Sequence, residues 1–108
     1  MTGERVVLSP SVDEWLRAAK ESAQLREKFK KAQKAIRMMR EVGPTYPSFR
    51  THQMQHLKGP GDVPIWNSYV ENNTPQAWRM YWVRRDDGAV QIVSIGPHDH
   101  EPGAQPPA

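Results

Sequence analysis

Arginine, tyrosine and histidine side chains near the C-terminal end of the chain are the residues best suited to chemistry. Arg79 and Tyr81 are two positions apart in Trp78-Arg79-Met80-Tyr81-Trp82, and His98 follows the next apolar run. A guanidinium binds phosphate with two hydrogen bonds, a phenol ring stacks on a base, and an imidazole transfers a proton near neutral pH. If the fold brings these three side chains together, they suit a polyanion such as RNA.

A predicted β-hairpin places these residues on one face of a sheet. Asp87-Gly88 lies between two alternating runs, which is typical of a two-residue hairpin turn. With that turn, Tyr81 lies opposite Ser94 and Arg79 opposite Gly96. The apolar face is predicted to pack against helices and consists of Trp78, Met80, Trp82, Val93 and Ile95. The residues that alternate with these are predicted to form an open face: Arg79, Tyr81, Val83, Ile92, Ser94 and His98.

Neighbouring segments offer further polar side chains to this open face. Tyr69 joins it through the alternation of its own predicted strand. A polar excursion over residues 45–64 is predicted to line the edge of the face with four basic or titratable side chains: Arg50, His52, His56 and Lys58. Two simpler interpretations stay open. Arg79 could be an ordinary solvated strand residue, paired or not with Glu71, and His98 could be an ordinary loop histidine.

The rest of the chain supplies the elements that must support such a sheet. A short apolar run at residues 5–8 predicts a first strand, and Ser11-Val12-Asp13-Glu14 predicts a capping box at the start of a first helix. Apolar residues spaced four and three apart predict a second helix that ends at Gly43-Pro44: Leu25, Phe29, Ala32, Ile36 and Met39. We therefore predict an α+β domain over residues 1–100, with two N-terminal helices packed on one face of a small antiparallel sheet of three or four strands. Residues 101–108 include three prolines and are predicted to be a disordered tail.

Composition narrows the classes of function. The chain has 108 residues, a net charge of +3 and no cysteine, which excludes disulfides, thiolate metal sites and cysteine nucleophiles. Seven basic residues lie between Arg26 and Arg40 beside one acid, Glu27, a stripe that suits nucleic acid or an acidic protein as well as a solvated helix face. No apolar run is long enough to span a membrane and no signal-peptide core follows Met1, so we expect a cytoplasmic protein. His98-x-His100 has no third ligand at a recognisable spacing, so we expect neither a metal nor another cofactor.

These features together resemble the RelE/ParE superfamily of bacterial toxin–antitoxin systems, which includes the RelE- and YoeB-like ribonucleases. The local matches are Leu57-Lys58-Gly59 before a strand, Trp78-Arg79-Met80-Tyr81-Trp82 before the hairpin, and Ile92-Val93-Ser94-Ile95 running into Pro97-His98. The likeness spans residues 5–100. It implies a toxin that is held inactive by a cognate antitoxin and that cleaves messenger RNA on the ribosome, through attack of a 2′-hydroxyl on the adjacent phosphate.

The resemblance also implies roles for individual residues. Arg79 would stabilise the charge on the phosphorane, and His98 would protonate the leaving oxygen. Tyr81 and His56 complete the expected catalytic set. The residues expected to contact RNA are Lys58, Arg50, His52 and Tyr69.

One departure from the family pattern concerns the general base. Gln55 stands where some members have a carboxylate, and an amide cannot accept the proton, so His56, His52 or Glu71 would have to replace it. Three hypotheses therefore remain: a metal-independent endoribonuclease toxin, a toxin of the non-catalytic, gyrase-inhibiting branch, and a degenerate member or plain nucleic-acid-binding module.

Overall fold

A computed structural model describes residues 3–72 and 76–97 of the chain. Its elements run in the order β1 (Val6–Leu8), α1 (Pro10–Lys20), α2 (Arg26–Glu41), β2 (His52–Lys58), β3 (Pro64–Tyr69), β4 (Arg79–Arg84) and β5 (Val90–Gly96), with 3-10 turns at Pro47–Phe49 and Pro60–Asp62. The α+β class and the predicted order of one strand, two helices and further strands are confirmed. His98 and the proline-rich segment 101–108 lie outside the described residues.

The strands form one five-stranded sheet in the order β1-β5-β4-β3-β2. Strands β2 to β5 are antiparallel neighbours, whereas β1 pairs in parallel with β5, so that Val6 lies opposite Val90 and Leu8 opposite Ile92. The prediction of an antiparallel sheet with three or four strands is therefore wrong in strand number and in the direction of this edge strand. Strands β1 and β5 are far apart in the sequence although they are neighbours in the sheet. A three-residue apolar run contains no local signal that identifies so distant a partner.

Helix α1 begins one residue before the predicted capping box. Pro10 occupies its first turn, where the missing N–H removes no helical hydrogen bond. The carbonyl oxygen of Ser9 accepts from the backbone N–H groups of Val12 and Asp13, and no side chain caps the helix. The predicted box, which needs Ser11 ahead of the first turn, is therefore not formed.

The hydrophobic core lies between the two helices and one face of the sheet. In α2, Ala32, Ile36 and Met39 are buried, and Leu25 and Phe29 pack against them, which confirms the predicted stripe. No helix in the described part of the chain has the length and apolar character needed to cross a membrane.

The β4 side of the core follows the predicted alternation. Trp78, Met80 and Trp82 are buried in the same cluster as the helix residues. Arg79 and Tyr81 alternate with them and therefore lie on the opposite face of the sheet.

The hairpin between β4 and β5 has a longer loop than predicted. The backbone N–H of Arg85 donates to the carbonyl of Ala89 over 2.8 Å, so that Asp86-Asp87-Gly88 forms a three-residue loop. Gly88 has a φ of 88°, the left-handed conformation that such loops require. This loop shifts the strand pairing by one residue relative to a two-residue turn.

A β-bulge in β5 then restores the predicted register. Trp82 lies opposite Ile92, and Tyr81 lies opposite Ser94, so Val93 is the extra residue. Val93 consequently leaves the core-facing set predicted for it, and Ile92, which is fully buried, takes that place.

We expect Gly88→Ala to destabilise the protein by about 1–2 kcal/mol, because an L-residue with a Cβ is strained at positive φ. A Cβ built on Gly88 meets no heavy atom within 4 Å, so steric crowding does not contribute. Gly88→Asn should lose less stability, since Asn tolerates this conformation better. Urea unfolding at constant pH measures both losses, and equal losses for the two variants would contradict the role assigned to the backbone.

Candidate functional site

Arg79 and Tyr69 form the centre of the candidate site, on the sheet face away from the helices. They lie directly opposite each other on β4 and β3. The guanidinium carbon of Arg79 is 4.3 Å from the centroid of the Tyr69 ring, and Nη2 donates a hydrogen bond of 2.8 Å to the Tyr69 hydroxyl. Both side chains are half-buried. The stacking and the hydrogen bond together hold the guanidinium in one orientation.

The Arg79 guanidinium keeps unused capacity for an anion. Its Nε is buried and has no hydrogen-bond partner within residues 3–72 and 76–97. Two neighbouring arginines are paired: Arg84 at the end of β4 with Glu4, and Arg85 in the following loop with Asp87. By contrast, no carboxylate of the described residues pairs with Arg79. A half-buried cation without a carboxylate partner among these residues is suited to a ligand that supplies charged oxygen atoms.

His52 extends the site toward the edge strand β2. It lies opposite Asn67 of β3, and its ring centroid is 6.4 Å from that of Tyr69 in an edge-on arrangement. Nδ1 is 3.0 Å from the backbone carbonyl of Arg50, so Nδ1 carries the proton of a neutral ring. Nε2 is 3.0 Å from Asn67 Nδ2 and accepts a hydrogen bond from it. This network assigns Nε2 as the basic nitrogen of the imidazole.

The Asn67 amide is buried and incompletely satisfied. Its Nδ2 also lies 3.1 Å from the sulfur of Met54, while its Oδ1 has no hydrogen-bond partner in the described part of the chain. A half-turn of the amide would present Oδ1 to His52, which suits a ring protonated on both nitrogens. Asn67 can therefore hold His52 in either protonation state.

Tyr81 lies on the same face as Arg79 but does not present its ring to solvent. Only 1% of the residue is exposed, and its cross-strand neighbours Asn67 and Ser94 are fully buried. The prediction that Tyr81 stands on an open face and can stack on a base is therefore wrong, although the face assignment itself is correct. Strand alternation determines only which side of the sheet a residue faces, and not whether that side is covered.

The remaining predicted site residues are spread along the edge of the sheet. His56 and Lys58 are exposed at the far end of β2, where the pairing with β3 is irregular between Gln53 and Lys58. Gln55 is exposed in the same stretch. Arg50 precedes β2 and lines a cavity on the helix side of the sheet, together with Trp66. Within the described residues, the structure thus brings together Arg79, Tyr69 and His52, whereas Tyr81 is buried on the same face of the sheet.

Glu71 belongs to a different part of the molecule from Arg79. Strand β3 ends at Tyr69, and the backbone N–H groups of Val70 and Glu71 both donate to the carbonyl of Trp78, so strand alternation stops there. The Glu71 carboxylate accepts hydrogen bonds of 2.8 Å from the ammonium groups of Lys28 and Lys31, and one of 3.1 Å from the backbone N–H of Trp78. The interpretation that Arg79 pairs with Glu71 is therefore wrong.

The hydrogen bonds to Glu71 also determine its ionisation. Burial by itself would raise the pKa of this carboxyl, but the hydrogen bonds from Lys28, Lys31 and the Trp78 amide outweigh it and lower the pKa below the ordinary value of 4.5. Glu71 is therefore charged and fully engaged, and it cannot act as the general base that the sequence left open.

The structure divides the basic stripe of α2 into two parts. The stripe consists of Arg26, Lys28, Lys30, Lys31, Lys34, Arg37 and Arg40. Lys28 and Lys31 bind Glu71, whereas the other members are exposed. Among the residues that the structure describes, no three His, Cys, Asp or Glu side chains form a group that could hold a metal ion.

Asn67 is the one residue of the site that the sequence did not single out. It shares strand parity with Tyr69, and an amide in the middle of an otherwise apolar and aromatic strand is unusual. That combination could have marked it as a buried polar group in need of a partner.

Comparison with known proteins does not assign the chain to a family. No protein-family model, no curated protein and no solved structure matches it.

Proposed function

We propose that this chain binds RNA at the Arg79 site and cleaves it by metal-independent attack of a 2′-hydroxyl, as the toxin of a RelE/ParE-like toxin–antitoxin pair. The observation that carries the proposal is the oriented Arg79 guanidinium, which stacks on Tyr69, donates a hydrogen bond to its hydroxyl and has no carboxylate partner in the described residues. In this reaction, negative charge builds up on the phosphate oxygens in the transition state. A guanidinium fixed beforehand stabilises that charge without reorganising.

His52 is the best candidate for the general base. Its Nε2 is basic, its ring is exposed, and it contacts Tyr69, which in turn contacts Arg79. A substrate hydroxyl that replaces the Asn67 amide at Nε2 could pass its proton to the ring, and the Oδ1 of Asn67 could then accept from the imidazolium. His56 lies four residues further along β2, roughly 13 Å away in an extended strand, and is poorly placed for this role.

The observed order of a strand, two helices and further antiparallel strands is compatible with the resemblance to the RelE/ParE superfamily. As such a toxin, the chain would act in the cytoplasm on ribosome-bound messenger RNA. The exposed members of the basic stripe offer a surface for the acidic segment of an antitoxin. The general acid expected at His98 remains part of the proposal.

The proposal is tested by incubating the purified protein with RNA in the presence of EDTA and identifying the new ends. We expect cleavage that leaves 2′,3′-cyclic phosphate or 3′-phosphate ends. Arg79→Ala should lower the rate about 100- to 1000-fold, the usual loss for one electrostatic group that acts in the transition state. Arg79→Lys retains the positive charge but cannot form two parallel hydrogen bonds with a phosphate, so its rate should lie between those of Arg79→Ala and the wild-type protein.

Arg85→Ala is the matched control, because Arg85 is a more exposed arginine at the opposite end of β4 and pairs with Asp87. It should cleave at the wild-type rate. Growth arrest on expression should follow the same order among the variants. Wild-type protein that arrests growth without cutting any message, or an Arg79→Ala variant as active as wild type, would refute the ribonuclease proposal.

Non-catalytic RNA binding is the second candidate function. It is favoured by the position of the Asn67 amide, which already occupies the basic nitrogen of His52, and by the absence of a carboxylate next to Arg79 in the described part of the chain. In this case, Arg79→Ala would weaken RNA binding measured by gel shift, and the wild-type protein would leave the RNA intact.

A further inference from the structure

A large cavity lies on the helix side of the sheet, beyond the edge of the helices. Its volume is about 770 Å³, and it is bounded by the segment after α2 and by β3 and β4. The wall residues that matter for binding are Tyr46, Arg50, Trp66, Trp82 and Arg84. Because Trp66 and Trp82 share the core-facing side of the sheet, this cavity is separate from the Arg79 site on the opposite face.

The floor of the cavity is aromatic. The ring of Trp66 stacks on that of Trp82 with 5.8 Å between centroids and 17° between planes. Trp82 is buried, with 3% of the residue exposed, whereas Trp66 is half-buried and lines the cavity. Stacking on the buried ring of Trp82 thus holds the Trp66 ring in place, so that Trp66 is preorganised to stack on a second flat ring.

The polar groups beneath the floor satisfy one another. Trp82 Nε1 donates to Ser68 Oγ over 3.0 Å, and Thr51 Oγ1 donates to the carbonyl of Pro44 over 2.8 Å. Since the hydroxyl of Thr51 is already used as a donor, Ser68 is the donor in the 2.6 Å contact between the two hydroxyls. This chain of hydrogen bonds ties the segment after α2 to the sheet. It leaves these groups no donor for a ligand, so recognition rests on ring stacking and on charge at the rim.

The charges at the rim leave one positive charge unmatched. Arg84 pairs with Glu4 at 2.8 Å, and the two charges cancel. Arg50 is exposed and has no carboxylate partner among the described residues, and its backbone lies in the left-handed region at φ 46° and ψ 44°. A non-glycine residue in that conformation is uncommon and is found preferentially at functional positions.

We propose that this cavity binds one nucleotide unit, with the base stacked on Trp66 and a phosphodiester at Arg50. The single unmatched cation suits a phosphodiester, which carries one negative charge, better than the terminal phosphate of a free mononucleotide, which carries nearly two near neutral pH. The site goes beyond the proposed reaction at Arg79 and does not depend on it. It would give the protein a second contact with single-stranded RNA.

The test compares four small probes by the quenching of tryptophan fluorescence and by isothermal titration. 2′-Deoxyadenylyl-(3′→5′)-adenosine carries bases and one phosphodiester and lacks the 2′-hydroxyl that the proposed cleavage needs. Adenosine lacks the phosphate, ribose 5-phosphate lacks the base, and AMP carries a terminal phosphate. We expect the dinucleoside monophosphate to bind more tightly than each of the other three. AMP binding more tightly than the dinucleoside monophosphate would identify a free nucleotide as the ligand and would overturn the assignment to an RNA strand.

Substitutions at two positions separate the contribution of base stacking on Trp66 from that of the positive charge of Arg50. Trp66→Ala should weaken binding of the dinucleoside monophosphate about 5- to 150-fold, which corresponds to the loss of one base–aromatic stack. Trp66→Phe retains a ring and should lose less, which controls for damage to the fold. Arg50→Gly should weaken binding about two- to fivefold, as expected for an exposed ion pair. Glycine adopts the positive φ without strain, so this variant keeps the fold.

Arg17→Ala removes an exposed arginine of α1 that pairs with Asp13, and it should leave binding of this short ligand unchanged. In protein that also carries Arg79→Ala, Trp66→Ala and Arg50→Gly should weaken binding by the same factors, so that failure of the proposed reaction at Arg79 is distinguishable from failure of this site. Equal affinities for adenosine and the dinucleoside monophosphate, or unchanged affinity in both Trp66→Ala and Arg50→Gly, would overturn the inference.

Discussion

Replacing His52 by glutamine is expected to lower RNA cleavage about 100- to 10,000-fold, the range for loss of one general base or acid. Glutamine can still form hydrogen bonds at the position of the ring, but it cannot take up a proton. The exposed position of His52 at the start of β2 means that the fold should be retained. The measurement is the single-turnover rate on a short RNA, with the circular dichroism spectrum recorded for each variant.

His56→Gln is the matched control, because it makes the same substitution at an exposed residue of the same strand. It should cleave as fast as the wild-type protein. The sequence alone left His56 and His52 as alternatives, and the structure favours His52, through its contacts with Asn67 and Tyr69. A slow His56→Gln variant beside a fully active His52→Gln variant would reverse this assignment.

The double substitution Lys28→Met and Lys31→Met is expected to destabilise the fold by about 1–3 kcal/mol. This is less than for a fully buried pair, because the side chains of Lys28 and Lys31 are 34% and 47% exposed and solvent screens their charges. The side chain of Glu71 is only 3% exposed, and the two ammonium groups are its charged partners. Methionine keeps most of the aliphatic length of lysine, so the chief effect is a buried carboxylate without a counter-charge. For a domain of this size, such a loss is a large part of the total stability.

Lys30→Met with Lys34→Met is the control on the same helix. Both side chains are exposed, and the contact of Lys30 with Glu27 is a long 3.7 Å, so the change in unfolding free energy should stay within about 0.5 kcal/mol. Adding Glu71→Gln to the destabilised double variant should restore part of the loss, because the buried charge is then removed. Equal stability of the two double variants in urea would show that Glu71 does not need its lysine partners.

The pH dependence of stability should differ between these proteins. In the wild-type protein, the folded-state pKa of Glu71 lies below its ordinary value of 4.5, so the stabilisation from the ionised carboxylate is complete above that pH. It is lost as the pH falls through the folded-state pKa. In the Lys28→Met, Lys31→Met variant, burial dominates and raises the pKa of Glu71, so that acidification toward pH 4.5 should reduce the destabilisation instead.

The hairpin illustrates how far local pattern predicts this fold. The Asp-Gly signal and the alternation of β4 correctly predict that Trp82 faces the core and that Tyr81 lies opposite Ser94. The predicted register holds there only because the shift from a three-residue loop is cancelled by the bulge at Val93. Between the loop and the bulge, the predicted pairing is wrong by one residue, since nothing in a short alternating run marks a bulge.

Elements with local sequence signals could be predicted from the amino-acid sequence. The apolar spacing of α2, its stop at Gly43-Pro44 and the alternation around Arg79 all depend on residues within a few turns or pairs of one another, and each is observed. Local geometry repeats with a short period, so it can be read from a short stretch of chain.

Contacts between segments that are distant in the chain became known only from the folded structure. It placed β1 beside β5, turned Glu71 toward Lys28 and Lys31, buried Tyr81, and moved Arg50 to a cavity on the other side of the sheet from Arg79. These outcomes depend on how the helices and loops cover the sheet, and on which charged side chains pair with a buried carboxylate such as that of Glu71. The free energies involved arise from burial and pairing across the whole domain, and no spacing within a single segment encodes them.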